Sequence, residues 1–157
     1  MTDDRKEEFY KRLGGTRTGM LEAEGRYLPM SPNMVKDDPD IWFITATGTP
    51  MADAAAKSAP SKFVVSNDDK GLYADIDGTL HLSQDAEKLD EVWNLVASSW
   101  FEDGKRDEDV QLVRFVPKSA EVWMTEGGTF KFLYQVARAQ LSDKKPDMGE
   151  HFSLTFG

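Results

Sequence analysis

Cysteine is missing from the 157 residues, which excludes disulfides, iron–sulfur clusters and thiolate zinc sites. Histidine is scarce: His81 and His151 stand far apart, and isolated histidines are more often structural than metal ligands. Long apolar runs are missing too, since no stretch approaches the ~20 residues that cross a bilayer. The charged start MTDDRKEEFYKRL lacks the apolar core of a signal peptide. We therefore expect a cytoplasmic protein with no metal site and no membrane partner.

Basic residues are also outnumbered by acidic ones. Nineteen Lys and Arg residues face twenty-eight Asp and Glu residues, which gives a net charge of −9 and a pI near 4.7. The basic residues are scattered singly or in short mixed runs such as GKRDED, with no concentrated patch. A nucleic-acid duplex or an anionic membrane would be repelled by such a surface. The composition therefore predicts no nucleic-acid partner.

The common catalytic motifs do not occur in this chain. There is no Gly-x-Ser-x-Gly elbow, no Walker loop and no Gly-x-Gly-x-x-Gly turn. Asp75 and Asp77 share one face of a predicted strand, where a hydrolase or a cation site could use them, but a solvated strand face is the simpler interpretation. We assign no catalytic residue. An enzyme that takes its reactivity from a cofactor and a plain binding protein both stay open.

The chain does contain a regular succession of strand and helix patterns, which indicates one domain over residues 1–157. The strands that the pattern predicts are TRTGMLEAE, RYLPMSPNM, IWFIT, SKFVVSN, GLYADIDGTLHLS, VQLVRFV, AEVWMT and FSLTF. The helices are residues 2–13, a short one after Thr49, QDAEKLDEVWNLVASSWF capped by Ser83, and FKFLYQVARAQLS. In the third helix, an apolar face of Leu89, Val92, Trp93, Val96 and Trp100 predicts burial. Short turns between the strands favour an α+β, mainly antiparallel, β-barrel-like domain over parallel α/β.

One stretch, IWFITATGTPMADAAA at residues 41–56, runs from an apolar strand into an alanine-rich helix. Thr49 stands at the N-cap position and Pro50 at the first helical position. Exposed amides at a helix start suit a phosphate or a carboxylate, although an ordinary strand-to-helix turn explains the same residues.

Motifs in order along nearly the whole chain resemble the pyridoxamine 5′-phosphate oxidase-like superfamily of flavin-binding split β-barrels, and within it the bacterial general-stress-protein branch. The matching pieces are EFYKRLGGTRTGML, the Pro-Met of LPM, IWFIT, IDGTL, KLDEVWNLVASSWFEDGK, LVRFVPKSAEVW and KKPDMG. The resemblance implies a split β-barrel with flanking helices that forms a homodimer. It also implies an FMN groove at the dimer interface, with FAD and coenzyme F420 as less favoured alternatives, and a small-molecule redox substrate.

The resemblance also implies where the flavin would lie. Its ring would rest on the second strand, and its phosphate would sit at the stretch from Ile44 to Met51, with threonine hydroxyls as donors. An aromatic side chain near the flavin corresponds to Trp123. The implied cofactor-binding residues are Arg26, Tyr27, Leu28, Pro29, Met30, Ile44, Thr45, Thr47, Thr49, Pro50, Met51 and Trp123.

Two positions depart from the resembled pattern. Leu28 and Met51 stand where many relatives carry basic residues, and Arg26 or Arg17 would have to supply the missing charge. Restoring a charge by Met51→Lys is then expected to tighten FMN binding. The alternative function is a non-catalytic ligand-binding or structural dimer with a weakened flavin site. True pyridoxamine-phosphate oxidation is disfavoured, because no basic pair follows Trp123 near Leu133.

Overall fold

A computed structural model describes residues 4–125 and 150–156, apart from the side chains of residues 95 and 96. Its strands are β1 (Gly19–Ala23), β2 (Arg26–Met30), β3 (Asn33–Met34), β4 (Ile41–Ala46), β5 (Pro60–Asn67), β6 (Leu72–Ser83), β7 (Val110–Met124) and β8 (Glu150–Thr155). Its helices are α1 (Asp4–Gly14), α2 (Pro50–Ala56), α3 (Ala86–Val92) and α4 (Leu95–Trp100), with a 3-10 turn at Gly104–Arg106. The predicted helix at residues 130–142 lies outside the described residues.

The eight strands form one antiparallel sheet that curls into a half-barrel, as the predicted fold class requires. Its strand order is β2-β1-β5-β6-β7-β4-β3, and β8 also pairs with β7. β6 follows one edge of β7 along nearly its whole length. The other edge of β7 is shared, because β4 pairs with residues 110–115 and β8 with residues 119–124.

The structure of β7 shows that the prediction of two strands joined at Pro117 is wrong. β7 is one strand of 15 residues, and the register with β6 shifts between Asp77 and Gly78, opposite Pro117. Proline has no N–H for the ladder and is tolerated at such an irregularity. A Cβ on Gly78 would lie 2.5 Å from the Val116 carbonyl oxygen and 2.6 Å from the Phe115 ring, so only glycine fits this close approach.

The main core lies inside the curled sheet. Phe43, Phe63 and Phe115 pack edge to face there, with ring centroids 5.1 and 6.5 Å apart. Phe9 and Leu13 of α1 are buried against the same cluster. A second, smaller cluster joins Val92 of α3 to Trp42 and Leu112 of the sheet.

The prediction of one long helix at residues 84–101 is wrong, because the structure has two shorter helices there, α3 and α4. Trp93 and Asn94 have extended backbone angles, and the Asn94 side chain accepts a hydrogen bond from the Ala97 amide at 2.9 Å, which starts α4. Asparagine side chains compete with the helical backbone in this way and favour N-cap positions. The cap of α3 is Asp85 rather than Ser83.

The predicted apolar face of that helix is correspondingly incomplete. Val92 is buried, but Trp93 is only half-buried beside Phe101 and Trp100 is 79% exposed.

The predicted second strand is also divided, into β2 and β3, at Ser31 and Pro32.

Candidate functional site

The turn between β4 and α2 is held by threonine side chains. Thr49 caps α2, since its hydroxyl oxygen accepts the Ala52 amide at 3.2 Å, and Pro50 occupies the first turn as predicted. The Thr49 hydroxyl donates to the Ala46 carbonyl at 2.9 Å and lies 2.9 Å from the Thr45 hydroxyl. Because the Thr49 hydrogen is committed to Ala46, Thr45 is the donor in that pair.

Thr47 is engaged in the same way on the other side of the turn. Its hydroxyl lies 3.4 Å from the Asp109 carbonyl oxygen, which it can reach as a donor, and it accepts the Gln111 side-chain amide at 3.1 Å. The Thr47 amide also bonds the Asp109 carbonyl, at 2.9 Å. The three predicted hydroxyl donors therefore already have internal acceptors, and each would have to give one up to bind a phosphate.

Two amides of the turn remain available. Within the part of the chain that the structure describes, the N–H groups of Gly48 and Met51 make no hydrogen bond. Gly48 has a φ of +83° and open space around its Cα. The turn therefore offers main-chain donors more readily than side-chain donors.

The Met51 side chain does not face this turn. It is fully buried in the main core together with Ala54 and Ala55 of the same helix. The expected gain from Met51→Lys is therefore corrected: a lysine here would point into apolar packing. The spacing of Met51, Ala54 and Ala55 at i, i+3 and i+4 was the sequence signal for this burial. Ile44 is also directed away, since it packs with Trp42 under α3.

β2 and the α2 turn meet in an open cleft of about 450 Å³. Its lining residues come from the β1–β2 turn, the start of β2, the turn before α2, and α2 with its C-cap: Glu24, Arg26, Gly48, Pro50, Asp53, Ala56 and Lys57. Of the two arginines predicted to supply the missing charge, Arg26 is the one that the fold brings to Gly48 and Pro50. Arg17 precedes β1 at the opposite end of the hairpin, away from this cleft.

The charges that line the cleft balance. Arg26 and Lys57 contribute two positive charges, while Glu24 and Asp53 contribute two negative ones. Lys57 is further occupied by a salt bridge to Glu24, with N to O at 3.0 Å. Arg26 is therefore the one lining cation in the cleft without an ion pair among the described residues.

The other β2 side chains divide between two faces. Leu28 and Met30 are partly buried against the main core. Tyr27, 46% exposed, and Pro29 point to the outer face of the sheet, opposite Glu22 and Met20 of β1. A ring resting on β2 can therefore contact Tyr27 and Pro29 from outside the sheet, but not Leu28 from the same side.

Trp123 lies far from the α2 turn within one chain. Thr45 pairs with Gln111, and Trp123 is 12 residues further along β7 (123 − 111), which is ~40 Å of extended strand. Its indole is 41% exposed on the outer sheet face. The structure therefore brings Arg26 to the α2 turn but does not bring Trp123 there.

The surroundings of Trp123 contain a residue that sequence reasoning missed. The His151 ring stacks on the indole with centroids 4.7 Å apart and planes 3° from parallel. His151 Nε2 lies 2.9 Å from Glu121 Oε2. Only the register of β8 on β7 reveals this contact, and no local motif around His151 signals it.

A curled antiparallel sheet with its first helix over the core and a cleft at a strand-to-helix turn defines the split-barrel class. Within it, the chain belongs to the family described as pyridoxamine 5′-phosphate oxidase like, whose model matches residues 4–147. The predicted superfamily is thereby confirmed.

Solved structures show the same relationship and also confirm the stress-protein branch. A Jannaschia sp. CCS1 protein assigned to general stress protein 26 is 51% identical, with a TM-score of 0.87 and 98% of each chain covered. The general stress FMN/FAD binding protein of Xanthomonas citri is 28% identical, with a TM-score of 0.71, over 81% of this chain and 93% of that one. A general stress protein 26 of Bacillus anthracis, 14% identical with a TM-score of 0.65, shows the fold alone. No match was found among curated proteins.

Proposed function

We propose that this protein binds FMN and acts as a flavin-dependent oxidoreductase on a small molecule, in a role linked to stress. The match to the oxidase-like family over residues 4–147 carries the proposal. A 28% identical relative of the same fold, a general stress FMN/FAD binding protein, supports the flavin. A bound flavin would supply the electron transfer, which fits a chain in which we assign no catalytic residue. A cytoplasmic location stays a prediction.

The residues present fit a phosphate in part. Gly48 and Arg26 line one cleft, and Met51, which has the second free amide, follows Pro50 of the same lining. The two amides and the Arg26 guanidinium can donate to phosphate oxygens. Against this, the threonine hydroxyls are committed and the charges of the cleft balance. Among these groups, Arg26 supplies the free positive charge.

We further propose that the working site belongs to a homodimer. Trp123 and the α2 turn lie near opposite ends of β7 in one chain, and Trp123 does not line the cleft. A second copy can bring its own Trp123 to the first copy's cleft, so one flavin would contact both chains. Tyr27, Met20 and Trp123 leave apolar surface on the outer sheet face for such contact.

FMN titration tests the flavin proposal. Wild-type protein should be yellow when loaded and should bind FMN more tightly than riboflavin, with FAD and coenzyme F420 titrated in parallel. Arg26→Gln should weaken FMN about tenfold or more, because a charge-assisted hydrogen bond contributes ~1.5–3 kcal/mol. Riboflavin, which has no phosphate, should bind Arg26→Gln and wild type alike.

Arg17→Gln is the matched control, since it removes the same charge outside the cleft and should leave FMN affinity within twofold. Equal loss of FMN in both variants would mean a general charge effect rather than a phosphate contact. A wild type that binds no flavin would favour the second candidate, a non-catalytic ligand-binding or structural dimer. The committed hydroxyls and the balanced cleft are the observations that favour that candidate.

Light scattering tests the dimer. At micromolar concentration the mass should be twice the 17.7 kDa of one chain, with or without FMN. A monomer that still binds FMN would refute the shared site while leaving flavin binding in place.

A further inference from the structure

The outer face of β7 and β8 carries a connected cluster of four side chains. Glu121 and Trp123 lie two residues apart on β7 and so share a face, and their partners across the ladder are Ser153 and His151. His151 stacks on Trp123 and bonds Glu121, while the Ser153 hydroxyl donates to the other oxygen of the same carboxylate. The imidazole is therefore fixed at both its ring face and its Nε2 atom.

The hydrogen bonds of this cluster set the orientation of His151. Hydrogen bonds from Ser153 and His151 lower the pKa of the Glu121 carboxyl, so at neutral pH it is ionised and only accepts. Nε2 must then carry a hydrogen, whether His151 is neutral or charged. The imidazole plane is held against one face of the indole, and β6 places Tyr73 on the other side of Trp123 in the same row.

The exposure of these groups argues against a purely stabilising role. The His151 and Glu121 side chains are 57% and 48% exposed, and ion pairs at such positions contribute little to folding. The arrangement does restrict an indole that is itself 41% exposed and would otherwise sample several rotamers. Ordering a large side chain in advance removes an entropic cost from the binding of a ligand.

We propose that His151 is a positioning residue that holds Trp123 in one orientation for ring contact with the bound flavin, and that Glu121 and Ser153 hold His151. The flavin part of this inference rests on the proposed function. The ordering of Trp123 does not, because it rests on the contacts that His151 makes with Trp123 and Glu121.

The first test uses flavin-free protein. The contribution of Trp123 to near-ultraviolet circular dichroism and to fluorescence is the difference between wild type and Trp123→Phe. His151→Ala should remove at least half of that contribution, whereas His151→Phe, which keeps an aromatic ring for the stack, should retain most of it. His81→Ala changes the other histidine, which contacts Ser58, and should leave the signal unchanged.

Rescue by His151→Phe is the readout that a purely structural role would not move, because only the stack on Trp123 is restored. An unchanged Trp123 signal in His151→Ala, or a loss in His151→Phe as large as in His151→Ala, would overturn the positioning role.

The second test measures FMN. His151→Ala should weaken FMN about threefold to tenfold through lost ordering, and His151→Phe should recover affinity to within about twofold of wild type. Undiminished FMN binding in His151→Ala would overturn the flavin part of the inference. A wild type that binds no flavin contradicts the proposed function instead. The flavin-free measurements alone then decide whether His151 orders Trp123.

Discussion

Hydrogen counting at single residues decides what the turn after β4 can bind. A hydroxyl has one hydrogen, and those of Thr45 and Thr49 go to internal acceptors. Main-chain amides carry no such conflict, so Gly48 and Met51 are the ready donors of the turn. For binding a phosphate, the presence of a threonine therefore matters less here than the acceptor to which its hydroxyl already donates.

The substitution Met51→Lys shows that the position of a side chain likewise decides what an added charge can do. Because the Met51 side chain is fully buried, an unpaired ammonium there should lower the free energy of unfolding by ~3–5 kcal/mol and the melting temperature by roughly 6–20 °C. FMN affinity should not rise. Met51→Leu, which nearly conserves volume, should cost less than ~1.5 kcal/mol. Thermal melts with FMN titration check this, and a stable lysine variant with tighter FMN would contradict it.

At the scale of elements, the structure between β6 and β7 depends on capping. α3 ends at Trp93 and α4 begins from Asn94, so a helical pattern that continues across residues 84–101 is interrupted by one side chain. Asn94 also donates to the Asn33 side chain at 3.2 Å, which ties α4 to the short strand β3. The break thus serves both a local cap and a long-range contact.

Asn94→Ala should lose the acceptor for the Ala97 amide and the bond to Asn33. We expect a cost of ~1 kcal/mol and a melting temperature lower by roughly 2–4 °C. Asn94→Asp keeps the cap acceptor and should recover most of this loss in calorimetry. If the aspartate variant were as unstable as the alanine variant, the Asn33 bond rather than the cap would be the important contact.

At the scale of the whole molecule, one largely buried ion pair fastens α3 to the loop between β3 and β4. Lys88 Nζ lies 2.7 Å from Asp38 Oδ2, and both side chains are about one-sixth exposed. Desolvation alone would raise the pKa of Asp38, but hydrogen bonds from Lys88, the Asp40 amide and the Trp42 indole together lower it. Asp40 nearby behaves oppositely, since burial raises its pKa.

This pair gives stability a definite dependence on pH. Since the pKa of Asp38 is lower in the folded protein than its ordinary value of 3.8, its contribution is complete above about pH 4 and is lost as pH falls through the folded-state value. The Lys88 contribution is present below its ordinary pKa of 10.5 and is lost as pH rises through a higher folded-state value. The pair therefore stabilises the fold between these limits.

Asp38→Asn should lower the free energy of unfolding at pH 7 by ~2 kcal/mol, the size of a charge-assisted hydrogen bond. It should also lose less stability than wild type between pH 5 and pH 3, because the titrating carboxyl is gone. Asp37→Asn, at an exposed neighbour, should match wild type at both ends. Urea unfolding at several pH values measures these slopes, and parallel curves for Asp38→Asn and wild type would refute the role of Asp38.

The local elements of the fold can be predicted from the residues alone. The Thr49 cap with Pro50, the period-2 alternation of β6 and the family motifs each depend on residues close together in the chain. Local hydrogen bonds and side-chain periodicity are encoded within a few positions, so they predict strands, caps and the antiparallel class. The helix break at Asn94 was not predicted, because a side-chain cap there competes with an otherwise continuous helical pattern.

The way in which these elements meet depends on contacts between distant parts of the chain. The register of β8 on β7 places His151 on Trp123, and the curl of the sheet brings Arg26, not Arg17, to Gly48 and Pro50. It also leaves Trp123 remote from that cleft. Strand register is set by pairing between distant segments, and a shift of one residue turns every side chain to the other face. Contacts of that kind depend on long-range pairing and cannot be read from neighbours in sequence.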